Sequence, residues 1–142
     1  WFLKEETELK NRPCTLGINM LTIDKLNVNA IDCSGLRVFR KILWPQALRM
    51  SDLVVFVIDA STPEKLKEVR EALTFVCEEI KGQKPILFLA SKNDILGAIS
   101  PKIIADELNL RKLECPWLLK SVSAARGINL QLMELFFKKL QQ

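Results

Sequence analysis

Four short polar segments, each directly after an apolar run, carry the residues whose types and spacing could do chemistry: Asp32-Cys33-Ser34-Gly35, Asp59, Ser91-Lys92-Asn93-Asp94 and Ser123-Ala124-Ala125. An aspartate at a strand end beside a glycine suits holding Mg²⁺ through water while the glycine amide approaches a phosphate. Lys92 followed two residues later by Asp94 suits a purine. The lysine stem can lie along the ring face, and the carboxylate can accept from the two N–H groups on the edge of guanine. Adenine lacks that donor pair, so the carboxylate selects guanine.

The elements that must position these residues fit in one domain, 1–142, because 142 residues is about one domain's length. Hydrophobic residues make up 49% and charged residues 27%, which excludes disordered, collagenous and low-complexity classes. The apolar run from Leu53 to Ile58 is far shorter than a membrane-spanning helix needs. A net charge of +4, spread along the chain, reads as solvated faces and not as a nucleic-acid surface. There is no histidine, so Cys/His zinc sites and Ser-His or Cys-His nucleophiles are excluded. Cys14, Cys33, Cys77 and Cys115 form no CxxC and read as reduced thiols of a cytosolic protein, with Cys33 the one placed to react.

The pattern predicts a helix end over the first ten residues, broken at Pro13, then strands from Leu16 to Ile23 and from Leu26 to Ile31 with Asp24-Lys25 as a tight hairpin. Leu26, Val28 and Ala30 alternate with Asn27 and Asn29, which predicts one buried face. An irregular basic stretch follows, partly helical from Trp44 to Met50. Leu53 to Ile58 is predicted to be a strand covered on both faces. Thr62-Pro63-Glu64 opens a helix that Gly82 ends, with Leu66, Val69, Leu73, Val76, Cys77 and Ile80 at helical spacing. Pro85 to Ala90 and Trp117 to Val122 read as strands, and Ser100-Pro101 starts a helix carrying Ile103, Ile104, Leu108 and Leu110. Ile128, Leu132, Leu135, Phe136 and Leu140 predict a closing amphipathic helix. Alternating strands and helices argue an α/β fold with a mostly parallel sheet.

The order of these motifs resembles the small GTPases, most closely their Arf/Sar-like branch, over nearly the whole chain. Pro13-Cys14-Thr15-Leu16-Gly17-Ile18-Asn19 resembles that branch's P-T-[IL]-G-[FI]-N segment with Cys14 inserted. Asp32-Cys33-Ser34-Gly35 is similar to D-x-x-G, Ser91-Lys92-Asn93-Asp94 to N-K-x-D, and Ser123-Ala124-Ala125 to the S/C-A-[KT] loop. The resemblance implies a three-layer P-loop-NTPase-like domain with GTP or GDP and Mg²⁺ as cofactors. It implies nucleotide contacts at Thr15, Gly35, Lys92, Asn93, Asp94, Ser123, Ala124 and Ala125, and metal contacts at Thr15 and Asp32. Among these, Thr15 would close on the γ-phosphate and metal, the Gly35 amide would sense the γ-phosphate, and the Ala124 amide would meet the guanine carbonyl. No catalytic residue is assigned.

Departures from the family pattern shape the functional expectation. The five glycines, at 17, 35, 82, 97 and 127, include none that could close a G-x-x-x-x-G-K-[ST] loop. That loop supplies most phosphate affinity. The 142 residues therefore read as a fragment without the family's first strand, which is central in the sheet and would leave unpaired backbone groups behind. Leu36 stands where the family has the glutamine that orients the attacking water, so weak hydrolysis is expected. Ser91 replaces an asparagine that normally braces the loops.

The resulting expectation is a guanine-nucleotide switch in vesicle trafficking, cytoplasmic or peripheral to a membrane through an N-terminal segment. Effectors, exchange factors or activating proteins would bind the segments from Thr15 to Asn19 and from Gly35 to Trp44. The alternative is a pseudo-GTPase adaptor that binds proteins without turnover. A flavodoxin- or receiver-like domain is disfavoured, because the paired acids of a receiver are absent.

Overall fold

The computed structural model describes residues 15–129, 131 and 135–137. They divide into two compact units, one reaching Ser51 and including the helical residues 135–137, the other spanning Asp52–Asn129. The predicted N-terminal helix end, and most of the predicted closing helix including Leu132 and Leu140, lie outside the described residues.

In the first unit, β1 (Ile18–Ile23) and β2 (Val28–Cys33) pair antiparallel, with Ile18 opposite Cys33 and Ile23 opposite Val28. The connection is longer than the predicted two-residue hairpin. Asp24–Leu26 forms a 3₁₀ turn and Asn27 closes it at φ 49°, its amide donating to the Asp24 carbonyl at 3.0 Å. Asparagine tolerates this left-handed geometry better than most residues, so the turn takes residues 26 and 27 out of the strand. The buried face predicted from Leu26, Val28 and Ala30 is therefore corrected: Leu26 is buried within the turn, whereas Val28 and Ala30 are half-buried.

Helix α1 (Arg37–Met50) covers the stretch predicted to be irregular. Pro45 lies inside it, where a proline removes one backbone donor without ending the helix.

The second unit is a parallel sheet in the order β3-β4-β5, built from β3 (Val54–Asp59), β4 (Ile86–Ser91) and β5 (Trp117–Ser121). Helix α2 (Leu66–Ile80) connects the first pair, and helix α3 (Pro101–Glu107) lies between the second. Central β4 is buried on both faces: Ile86, Leu87, Phe88 and Ala90 are at most 1% exposed. Edge strand β3 is not. Val54 and Ile58 are buried, but Val55 and Val57 on the other face are 42% and 56% exposed, correcting the expectation of a doubly covered strand. An unbroken β-branched run specifies the strand, not how many of its faces are covered.

Helix α2 buries Ala72, Leu73, Val76 and Ile80 at helical spacing and turns its charged side outward. Thr62 makes no side-chain cap; a 3₁₀ turn over Pro63–Lys65 leads into the helix instead. Lys81 and Gly82 both take positive φ and stop it, with the Lys81 amide on the Cys77 carbonyl at 3.0 Å. Helix α3 starts where expected, Ser100 accepting from the Ile103 amide at 3.4 Å, but it ends at Glu107, so Leu108 and Leu110 fall in its C-cap and in a separate 3₁₀ turn. The Arg70 guanidinium of α2 donates to the Glu107 carbonyl at the end of α3, tying the two helices. Ile128 is not helical; it bridges back to Ser123. No described helix is long and apolar enough to cross a membrane.

Phe88 is fully buried and packs against Phe56 with ring centres 5.7 Å apart. Phe88→Ala should cost about 3–5 kcal/mol of unfolding free energy, read from the denaturant midpoint with an unchanged slope.

Candidate functional site

Because the three strands of the second unit run parallel, their C-terminal ends fall at one end of the sheet, bringing Asp59, Ser91–Asp94 and the turn after β5 together. Backbone bonds carry the pairing beyond the strands. Ala60 N donates to the Ser91 carbonyl at 2.9 Å, Val122 N to Ala90 at 2.8 Å, and Asn93 N to Val122 at 3.4 Å. The predicted base-binding residues Lys92, Asn93, Asp94, Ser123, Ala124 and Ala125 are therefore neighbours in one unit.

Asp94 is the best-held of these. Its side chain is 14% exposed, faces the Arg126 guanidinium at 3.5 Å and accepts a hydrogen bond from buried Ser123. The Ser123 hydrogen bond, assisted by Arg126, holds the Asp94 carboxyl below the usual carboxylate range against the opposing effect of desolvation. Ser123 in turn accepts from the Arg126 amide at 3.1 Å and exchanges two backbone bonds with Ile128, of 3.2 and 3.0 Å. Among the described residues, the Ala124 amide beside it has no protein acceptor. A carboxylate and a backbone amide without a protein acceptor, on neighbouring turns, are groups that a guanine edge and carbonyl could use.

Lys92 takes φ 57°, an uncommon geometry for a lysine, and its ammonium meets the Asp59 carboxylate at 2.6 Å. The sequence had left Asp59 open, as a strand-end residue that could do chemistry or as a plain cap on the strand. The structure gives it three partners: Lys92, the Ser61 amide at 3.0 Å and the Ser61 hydroxyl at 2.6 Å. Burial alone would raise the Asp59 carboxyl; the bonds from Lys92 and Ser61 outweigh it and lower the pKa. Ser91, short for its motif, still braces the site: its hydroxyl donates to the Ile58 carbonyl at 2.9 Å. Arg126 was missed altogether. Only its position next to the Ser-Ala-Ala turn could have flagged it.

The first unit holds Thr15, Asp32 and Gly35. The Thr15 hydroxyl donates to the Asp32 carboxylate at 3.1 Å, bringing together the two predicted metal contacts, 17 residues apart. Two oxygen donors on an exposed edge fit Mg²⁺, a hard cation usually held by one or two protein groups plus phosphates and water. Among the described residues no group of three or more acids or thiols forms a metal site of its own. Gly35 has an ordinary φ, and a Cβ added to it would meet nothing within 4 Å, so neither its backbone nor its surroundings require a glycine. Burial first, then the Asp32 charge, push the pKa of the half-buried Cys33 thiol up, which works against the reactivity expected of it.

The ADP-ribosylation factor family model matches residues 2–140. The chain belongs to that family. ADP-ribosylation factor F of Dictyostelium discoideum is 30% identical over 119 residues, covering 80% of this chain and 62% of that protein. ADP-ribosylation factor-like protein 3 of Chlamydomonas reinhardtii is 31% identical over 121 residues, 82% of this chain and 68% of that one. ADP-ribosylation factor-like protein alp41 of Schizosaccharomyces pombe is 30% identical and is likewise matched over 62% of its length. The chain thus spans between 62% and 68% of the length of these curated relatives. Among solved structures, the Arl6 (BBS3) small GTPase of Trypanosoma brucei with bound nucleotide analogue GppNp superimposes with TM-score 0.82 at 25% identity, over 92% of this chain and 83% of that one. The fold is therefore the α/β small-GTPase fold of Arf-like proteins.

Both partnered carboxyls titrate below their unfolded value near 3.9, so each adds stability above that pH and loses it as pH falls through the lowered value. Asp59→Asn should lower the neutral-pH melting temperature and flatten its decline as pH falls below the ordinary carboxylate range, followed by circular dichroism at stepped pH.

Proposed function

We propose that this Arf-family chain is part of a guanine-nucleotide-binding switch, with Lys92, Asn93, Asp94, Ser123, Ala124 and Ala125 at the base and Thr15 and Gly35 at the γ-phosphate. The single observation that carries this reading is the placement of Asp94 against Ser123, beside an Ala124 amide with no protein acceptor among the described residues. The Arg126–Asp94 pair is compatible with ligand entry. Arg126 is 66% exposed, and an ion pair with such a partner is worth only about 0–1 kcal/mol, less than the charged hydrogen bonds guanine would offer.

Thr15 and Asp32 would hold Mg²⁺, which would supply charge neutralisation at the phosphates. A glycine at 35 that the polypeptide itself does not require is what close approach of a phosphate would require. The switch segments run from Thr15 to Asn19 and from Gly35 to Trp44, and would meet effectors, exchange factors or activating proteins; Leu16, Val38 and Ile42 there are 76%, 69% and 63% exposed. The family resemblance supports a cytoplasmic role in vesicle trafficking, peripheral to a membrane.

Leu36, at the start of α1 and 41% exposed, can neither donate nor accept through its side chain, so hydrolysis is slow. The same residue favours the second reading, an adaptor of this fold that binds partners without turnover.

In the full-length protein, Asp94→Asn should reduce the guanine-over-adenine preference about 100-fold, because charged hydrogen bonds of about 1.5–3 kcal/mol each are lost; competitive titration with the two diphosphates measures it. An unchanged preference removes the assignment. Leu36→Gln should speed single-turnover GTP hydrolysis about tenfold or more. No nucleotide bound to a stable parent protein would establish the adaptor reading.

A further inference from the structure

The Asp32-Cys33-Ser34-Gly35 segment is fixed peptide by peptide. The Ser34 amide donates to the Gly17 carbonyl at 2.9 Å, and the Leu36 amide to the Ser34 hydroxyl at 3.3 Å. The Ser34 carbonyl accepts from the Trp44 indole Nε1 at 2.9 Å, and the Gly35 carbonyl from the Arg40 Nε at 3.1 Å. Only the Gly35 amide among these groups has no protein acceptor among the described residues.

Planarity turns these contacts into an aiming device. The Ser34 carbonyl and the Gly35 N–H belong to one peptide unit, and every peptide bond described is trans. In a planar trans peptide the two groups point in opposite directions. Trp44, by holding the carbonyl, therefore points the Gly35 N–H directly away from the indole. Arg40 clamps the next plane, and its guanidinium carbon lies 5.4 Å from the centre of the Trp44 ring, so cation and ring brace each other one helical turn apart on α1. Without these holds a glycine would let both planes swing, since it restricts φ and ψ least of all residues. Ser34 is fully buried, so its carbonyl has little access to water as a substitute partner.

We propose that Trp44, braced by Arg40, is a positioning residue that aims the Gly35 amide at the terminal phosphate of a bound nucleoside triphosphate. This rests on the reading of Gly35 as the γ-phosphate contact. It gives α1 a role in distinguishing triphosphate from diphosphate, exercised through the backbone without touching the ligand.

The test is ¹⁵N relaxation of the full-length protein together with its affinity for GppNp relative to GDP, in the parent and in Trp44→Phe. Phenylalanine keeps a ring beneath Arg40 and removes only the indole donor. The Gly35 N–H order parameter should fall from about 0.85 to below about 0.6, with β4 amides unchanged. The GppNp-to-GDP affinity ratio should fall about three- to tenfold, the value of one hydrogen bond. An unaltered Gly35 order parameter overturns the proposal, as does a lowered one with an unmoved ratio. Should Trp44→Phe fail to melt cooperatively, Arg40→Met applies the same two readouts by releasing the Gly35 carbonyl, and unchanged values overturn the proposal equally. Failure of the underlying reading looks different: the parent itself would not distinguish GppNp from GDP, while the loosening of Gly35 in the variant would persist.

Discussion

The parallel pairing of β3, β4 and β5 is the constraint on which the base end of the candidate site depends. Parallel strands all finish at the same end of a sheet, so fixing the register of Ile58 against Ala90, and of Ala90 against Ser121, also fixes which loops are neighbours. That register is enforced by the fit of the core. A one-residue slip of β4 would exchange its two faces, and fully buried Leu87 and Phe88, which point to opposite sides, would each meet packing shaped for the other. Each such side chain contributes about 1.5–3 kcal/mol by leaving water, several times what an exposed ion pair returns. The site's geometry is therefore set by the core, and its ion pairs decorate an arrangement that exists without them.

This ranking explains why strong-looking contacts at the strand ends are compatible with a binding site. Lys92–Asp59 is short, but the lysine side chain is 57% exposed and its charge has water as an alternative partner. Arg126–Asp94 is longer, with the arginine more exposed still. Neither cation is committed by burial, so a ligand that offers the carboxylates a better hydrogen-bond pattern can displace it. Ser123 differs: it is buried, and its hydroxyl and backbone are both engaged. It is the fixed point against which Asp94 is measured.

The sequence made the strand-end segments legible because buried strands announce themselves as apolar runs that stop at a polar residue, as Ala90 does before Ser91-Lys92. Asp94 was legible from its spacing to Lys92, whereas the role expected of the Ser123 turn came from the family resemblance. What stayed hidden depended on interactions that sequence spacing does not encode. Helix α1 was read too short because Pro45 and a scatter of basic residues masked its continuity, although the completed helix carries Arg40 and Trp44 on one side. The turn through Asn27 hid for a local reason: alternation of Leu26, Val28 and Ala30 looks like a strand until a left-handed residue interrupts it. Asp59 was visible as a strand end, but its pairing with Lys92, 33 residues away, requires the parallel register to be known first.

The strand-end loops of the second unit and the Asp32–Gly35 segment of the first are held by different means, and this predicts where sequence change is tolerated. Around the proposed base-binding residues the loops are tied chiefly by backbone bonds between Ala60, Ser91, Asn93 and Val122, which any residue other than proline can supply. The Ser91 hydroxyl in place of an asparagine fits that tolerance, since the loop's position does not rest on that side chain alone. The Asp32–Gly35 segment is instead held at two of its carbonyls by side chains of α1, a tryptophan and an arginine that no backbone bond duplicates. Divergence in the first case alters side chains one at a time and leaves the loop backbone in place. In the second, a change twelve residues from Asp32 alters the direction of a peptide plane, so the Asp32–Gly35 segment is the more exposed of the two to substitutions that never touch it.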